Sequence, residues 1–203
     1  DILQEFVGQG WYAGGGKTGT HWLFVDARGR ILEVANNATT LTHQWHESEK
    51  VYFSIQRGTA AERLRRMPTP VDFATFHGMS RDPDCCFPSS VSGMSVHIDP
   101  THPEFFTRAW ISMPPRSLAF PLIMGGSVTP LPLLNGEADA AGRANTRPVG
   151  TWDPGEAAAL KHLGVLGDRV DHCLEHGGSN RATELIDDWV ISIATAHLAI
   201  LSA

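Results

Sequence analysis

The chain has 203 residues, 42% hydrophobic and 19% charged, with a formal net charge of −6. That length suits one domain, and the apolar share is large enough for a core, which excludes a disordered chain. The excess of carboxylates, set against a densest basic run of only Arg63-Leu-Arg-Arg66, excludes a nucleic-acid backbone as the natural partner; no uninterrupted apolar run of about eighteen residues marks a membrane span.

Asp1 opens the chain with no signal-like segment before it, as in a trimmed or processed polypeptide. Residues 1–7 have the character of a helix tail stopped by Gly8-Gln-Gly10. The Trp11–Thr20 stretch contains Gly-Gly-Gly-Lys-Thr but lacks the glycine spacing of a phosphate loop, so a glycine-rich connection is expected. His21–Val25 and Arg30–Val34 are apolar runs flanking Asp26-Ala-Arg-Gly29, the clearest hairpin signal in the chain. Val51–Ile55 is a further strand candidate. Thr59–Met67 carries helix formers and is stopped by Pro68, and Val71–Phe76 predicts a second short helix.

In the middle of the chain, Val91–Ile98 alternates small or polar residues with Val91, Met94, Val96 and Ile98, and Phe106–Met113 forms a second strand-like run. Between them Asp99-Pro-Thr-His-Pro103 must turn, because its two prolines lack donors and keep their neighbours out of helix. The expectation is an antiparallel hairpin followed by a short apolar run, Phe120–Met124, and a Gly-Gly break. Residues 125–150, rich in Gly, Pro, Asn and Ala, predict a long connection or a partner-wrapping segment. Residues 151–203 predict a helical end: Asp153-Pro-Gly-Glu156 resembles a helix start, 168–176 is amphipathic, and from Ser179 onward apolar residues recur every three or four positions. Strands first and helices last is an α+β arrangement in a single domain, 1–203.

Ser89-Ser-Val-Ser-Gly-Met-Ser-Val-His-Ile-Asp-Pro100, followed by Arg108-Ala-Trp-Ile-Ser-Met-Pro-Pro-Arg-Ser-Leu-Ala-Phe-Pro-Leu-Ile-Met-Gly-Gly126, resembles the late strand pair of the N-terminal-nucleophile (Ntn) hydrolases that act on linear amide C–N bonds. These are the choloylglycine-hydrolase, penicillin-acyltransferase and dipeptidase-like branch. Phe24–Val34 resembles the hairpin that branch carries upstream, and the two stretches occur in the family's order. The resemblance implies an αββα sandwich of which this chain supplies the C-terminal portion. It implies an amidohydrolase or acyltransferase with no cofactor, a small acylated amine as substrate, and a precursor cut by autoproteolysis into a heterodimer.

An Ntn hydrolase attacks with the side chain of its amino-terminal residue, whose α-amino group accepts the proton. Asp1 is a poor nucleophile, so the resemblance places the nucleophile on a companion chain of the same precursor. This chain would contribute donors to the oxyanion. Asn36 and Asn37, after the second strand of the hairpin, fit the Asn that plays this role in the family; a turn amide bonded to its own backbone is the plainer reading. Arg81, in Ser80-Arg-Asp-Pro83, resembles an Arg that precedes the late hairpin in some members and would clamp a carboxylate or stabilise an intermediate, whereas a surface Arg81–Asp82 element is the structural alternative.

Two rival readings come from the residues themselves. His43-Gln-Trp-His46, if helical, would put two imidazoles on one face for a zinc-dependent hydrolase, although a third ligand is not evident. The third reading is a non-catalytic subunit or binding module. Cys85-Cys86 with His77 suggests a thiol–imidazole dyad or soft-metal ligands, against the ordinary role of buried apolar cysteines. Three cysteines, two of them adjacent, give no disulfide framework.

Overall fold

In the computed structural model, residues 5, 20–26, 28, 30–36, 40–46, 62, 66, 72–81, 91–113, 117–145 and 154–203 are described. The chain gathers into two compact units, residues 1–70 and 71–203.

The first unit is built on the predicted hairpin. Strands β1 (Thr20–Val25) and β2 (Ile31–Asn36) pair antiparallel in the register Thr20↔Asn36 to Val25↔Ile31. The turn is set by Asp26, whose Oδ1 accepts the backbone N–H groups of Arg28 and Arg30 at 2.9 Å while Oδ2 accepts Arg30 Nε at 2.7 Å. An Asp that bonds its own backbone in this way closes a tight turn, and these bonds hold its carboxyl below the usual range. Strand β3 (Leu41–His46) adds to β2 antiparallel, completing a meander of order β1-β2-β3. Glu62 and Arg66 are helical and pair one turn apart on the surface, as the expected 59–67 helix requires. The 11–19 glycine segment, the Val51–Ile55 strand candidate and Cys85-Cys86 lie outside the described residues.

The second unit begins with α1 (Phe73–Met79), shifted two residues later than the pattern predicts at its start. Its cap explains the boundary: Asp72 Oδ1 accepts Thr75 N–H at 2.8 Å, and Oδ2 accepts the Thr75 hydroxyl at 2.7 Å. The central hairpin forms as expected, with β4 (Gly93–His97) antiparallel to β5 (Arg108–Ser112). The Pro-containing connection folds into a single helical turn, α2 (Pro103–Phe106), so β5 starts two residues later than the apolar run suggested. Strand β6 (Ala119–Ile123) completes the order β4-β5-β6. Gly125 follows it, and a Cβ there would run into the Phe105 ring and its carbonyl oxygen, so only glycine fits.

Residues 125–145, expected as an extended connection, hold two short helices, α3 (Leu131–Leu134) and α4 (Glu137–Ala144). The helical end is two long antiparallel helices. Glu156 through His176, expected as two pieces, belong to one continuous run, α5 (Pro154–Glu175) and its terminal turn; α6 (Ser179–Ser202) follows. Gly164 and Gly167 do not break α5, because its apolar face stays buried across them.

The core joins the sheet to that helix pair. Phe106, Trp110, Ala119 and Ile123 pack with Ala159, Leu163, Leu166 and Val170 of α5 and Ala182, Ile186 and Val190 of α6. Each large apolar side chain buried here contributes about 1.5–3 kcal/mol of transfer free energy. By length and composition α6 is apolar enough to cross a membrane; in the structure its buried face belongs to this core.

The sheet uses its two faces in a way the alternation of β4 did not predict. Met94 and Val96, the apolar members of the alternation, are 65% and 43% exposed, whereas Ser95 between them is 2% exposed. Trp110, opposite Ser95, is the reason: the bulkiest residue of β5 sets which face meets the helices, and register carries Ser95 along with it.

Candidate functional site

The residues with chemistry in the second unit converge beneath that sheet. Glu156 is the third residue of α5 and lies on its core face, three before Ala159 and seven before Leu163. A carboxylate on a core stripe needs buried cations and donors, because burying an unpaired charge costs several kcal/mol. It has them. Arg81 grips Glu156 with both terminal nitrogens, Nη1 to Oε2 at 2.5 Å and Nη2 to Oε1. Ala119 N–H donates to Oε1 at 2.5 Å, and His77 Nε2 stands 3.4 Å from Oε2. All three side chains are buried: Glu156 is 0%, His77 2% and Arg81 5% exposed.

Burial alone would raise the Glu156 carboxyl, but hydrogen bonds from His77 and Arg81, together with their charges, outweigh it and take it from 4.5 to about 2. Such a carboxylate is ionised at any physiological pH, and its lone pairs are engaged. It is too weak a base to remove a proton from an amide-cleaving nucleophile or water. Its role in this arrangement is to hold Arg81 and the β6 backbone in place.

A second helix fixes the same strand residue. His197, buried on α6, donates Nδ1–H to Ala119 O at 2.7 Å. Both backbone groups of Ala119 are therefore bonded to side chains, one from each long helix, which blocks that point of an edge strand. Trp110 lies between the two histidines, with ring centroids 5.6 Å from His77 and 6.4 Å from His197. Phe73 continues the row, stacked 5.7 Å from His77 and 5.2 Å from His97. His97 Nδ1 accepts from Arg108 Nη2 at 2.5 Å; burial, then the Arg108 charge, push its imidazole below the ordinary histidine range.

Of the residues singled out in the sequence, Arg81 is buried and its partner is Glu156, so the surface reading does not hold. Asn36 ends β2 and is buried, on the sheet face it shares with Val34 and Trp22. Asn37 lies outside the described residues. Arg81 and Asn36 belong to different units.

The His43/His46 zinc idea assumed a helix. The stretch is instead β3, where residues three apart face opposite sides. His43 is exposed in register with Val34, while His46 is buried and bonded through Nε2 to Glu33 Oε2 at 2.9 Å. The two imidazoles therefore do not share a face.

Glu156 and His197 were missed as functional groups in the sequence because each sits inside a helical pattern read for its apolar members. The signal was present: a Glu and a His falling on core positions of α5 and α6 each demand a polar partner.

Comparison with family models, with curated proteins and with solved structures gives no match for this chain.

Proposed function

We propose that this chain is the C-terminal portion of an Ntn-type αββα hydrolase or acyltransferase that acts on a linear amide C–N bond of a small acylated amine. The resembling stretches are those the family carries after its nucleophile, so the nucleophile is assigned to a companion chain of the same precursor. The observation that carries the reading is the two-sided character of the β4-β5-β6 sheet. One face packs on α5 and α6; the other presents Met94 and Val96, exposed, in register with Ile111 and Ala109. A sheet whose β4 margin exposes apolar residues opposite the α5–α6 face, while Phe120 at its β6 side is buried against α6, has an open strip on which a second sheet of a four-layer sandwich would stack.

In this reading the companion chain's terminal side chain attacks the amide carbonyl, and its α-amino group takes the proton. The side-chain amides of Asn36 and Asn37 donate to the developing oxyanion. Arg81, its charge answered by Glu156, acts as a positioning group that ties the end of α1 to the start of α5. No metal or cofactor takes part.

The test is to isolate the native protein, sequence the amino terminus of any polypeptide that co-purifies, and assay the complex against a panel of N-acyl amines. A companion beginning with Cys, Ser or Thr and a measurable release of free amine are expected. Replacing Asn36 by Ala should lower kcat by about 10²–10³ with KM little changed, the usual cost of one oxyanion donor. An inactive complex, or full activity in both Asn36→Ala and Asn37→Ala, would overturn the proposal.

A further inference from the structure

The far end of α5 holds a second constellation, unrelated to the buried cluster. Its sequence is His172-Cys-Leu-Glu-His176, followed by Gly177-Gly178. On a helix, positions i, i+3 and i+4 share a face, so His172, Glu175 and His176 project together. One donor atom from each lies within 4.8 Å of the others, and the two imidazole centroids are 4.4 Å apart. All three side chains are exposed.

Three features prepare this face for a cation. His176 donates Nδ1–H to His172 O at 2.7 Å, which fixes the neutral tautomer whose Nε2 carries the lone pair. A backbone carbonyl on the other ring nitrogen is the usual outer partner of a metal-bound histidine, since it orients the ring and raises its basicity. The backbone beneath is pinned: Gly177 adopts φ 73°, Gly178 N–H reaches Cys173 O at 2.7 Å, and Gly177 N–H reaches Leu174 O at 3.1 Å. That closing motif sets the direction in which His176 leaves the helix. Finally, a helix C-terminus carries a partial negative charge that favours a cation.

The separations suit first-row ions. Donors bound at about 2.1 Å in a tetrahedral shell are about 3.4 Å apart, so the exposed side chains need to close by at most ~1.4 Å, within reach of rotamer adjustment. Two imidazoles select Zn²⁺, Ni²⁺ or Cu²⁺ over Mg²⁺ or Ca²⁺, which prefer oxygen. Two histidines four apart on one helix turn, as in the His-x-x-Glu-His order, are a zinc-binding pair in some zinc enzymes, where the Glu serves as a base and not as a ligand.

We propose that His172, Glu175 and His176 form a binding site for a divalent transition-metal ion, Zn²⁺ in particular, with water filling the remaining positions. The site is open and has room for an external ligand on the ion. It does not depend on the amide-hydrolase reading.

The test uses the full chain and Zn²⁺ alone, titrated in competition with a chromophoric chelator. One equivalent is expected to bind. His172→Ala and His176→Ala should each weaken binding at least about 10-fold, the lower end of what loss of even an outer-sphere partner costs. Glu175→Gln, which keeps an oxygen donor, should weaken it less. His162→Ala, an exposed histidine earlier on the same helix, should leave it unchanged. Because every substituted residue is exposed, circular dichroism should not change. Failure of the chain to compete with the chelator, or zinc that stays bound in the His172→Ala/His176→Ala double variant, would overturn the assignment. Amidase activity does not enter the readout, so the two proposals fail separately.

Discussion

Helix α5 carries a glutamate near each end, and the two show how little residue type decides. Glu156, in the first turn, is buried, ionised and held by Arg81, His77 and a backbone N–H. Glu175, in the last turn, is exposed beside two imidazoles. The first is a fixed structural anion whose partners saturate it; the second keeps its lone pairs for a ligand from solution. Glu156 fits the helix macrodipole, an anion at the N-terminal end, whereas Glu175 lies at the negative end and is favoured there only with a cation beside it. What separates them is desolvation. Buried, a carboxylate must be answered by the protein itself; exposed, it is answered by water or by an ion.

The comparison can be broken most sharply at Glu156. Replacing it by Ala removes the counter-charge of a buried Arg81 and should cost about 3–5 kcal/mol. Denaturant unfolding followed by the fluorescence of Trp110 and its neighbours in the second unit measures this. If Arg81 is replaced by Met and Glu156 by Leu together, most of the loss should return, because the penalty lies in the unpaired charge; equal destabilisation of the single and double variants would show that the pair's geometry, not its charge, matters.

Acid comes next. The Glu156 carboxyl is lower in the folded chain than in the unfolded one, so its contribution is complete above about pH 4.5 and is lost as pH falls toward about 2. A shift from 4.5 to about 2 corresponds to roughly 3 kcal/mol. Stability measured between pH 5 and pH 2 should therefore fall steeply in the native chain and less steeply in the Arg81→Met/Glu156→Leu variant. Parallel curves would assign acid lability elsewhere.

The smallest effect is expected at the other end. Glu175→Gln should change stability by no more than about 0.5 kcal/mol, as for an exposed residue without buried partners, while still weakening zinc binding. A thermal shift in the absence of metal larger than that would mean that Glu175 supports the helix itself.

Local patterns marked out much of the fold. Asp26 and Gly29 between two apolar runs announced the first hairpin, and the prolines at 100 and 103 announced the turn before β5. The three- and four-residue recurrence from Ser179 gave α6 almost to the residue. Arg81 and Asn36 were visible as candidate residues, but nothing local to Arg81 points 75 positions onward to Glu156, nor from His197 back to Ala119. The 40–46 stretch failed for a related reason: spacing alone cannot say whether residues three apart share a face until the period is known.

By itself, then, the sequence determined where the two hairpins turn, where the last helix begins, and that an antiparallel sheet is followed by a helical end, because these follow from backbone sterics and the period of short apolar runs. Only the tertiary structure decided which face of β4 is buried, which glutamate of α5 is a structural anion, and which histidines stand together. Those outcomes depend on desolvation and on partners distant in the chain, and both come into being only when the sheet and the two long helices close on one another.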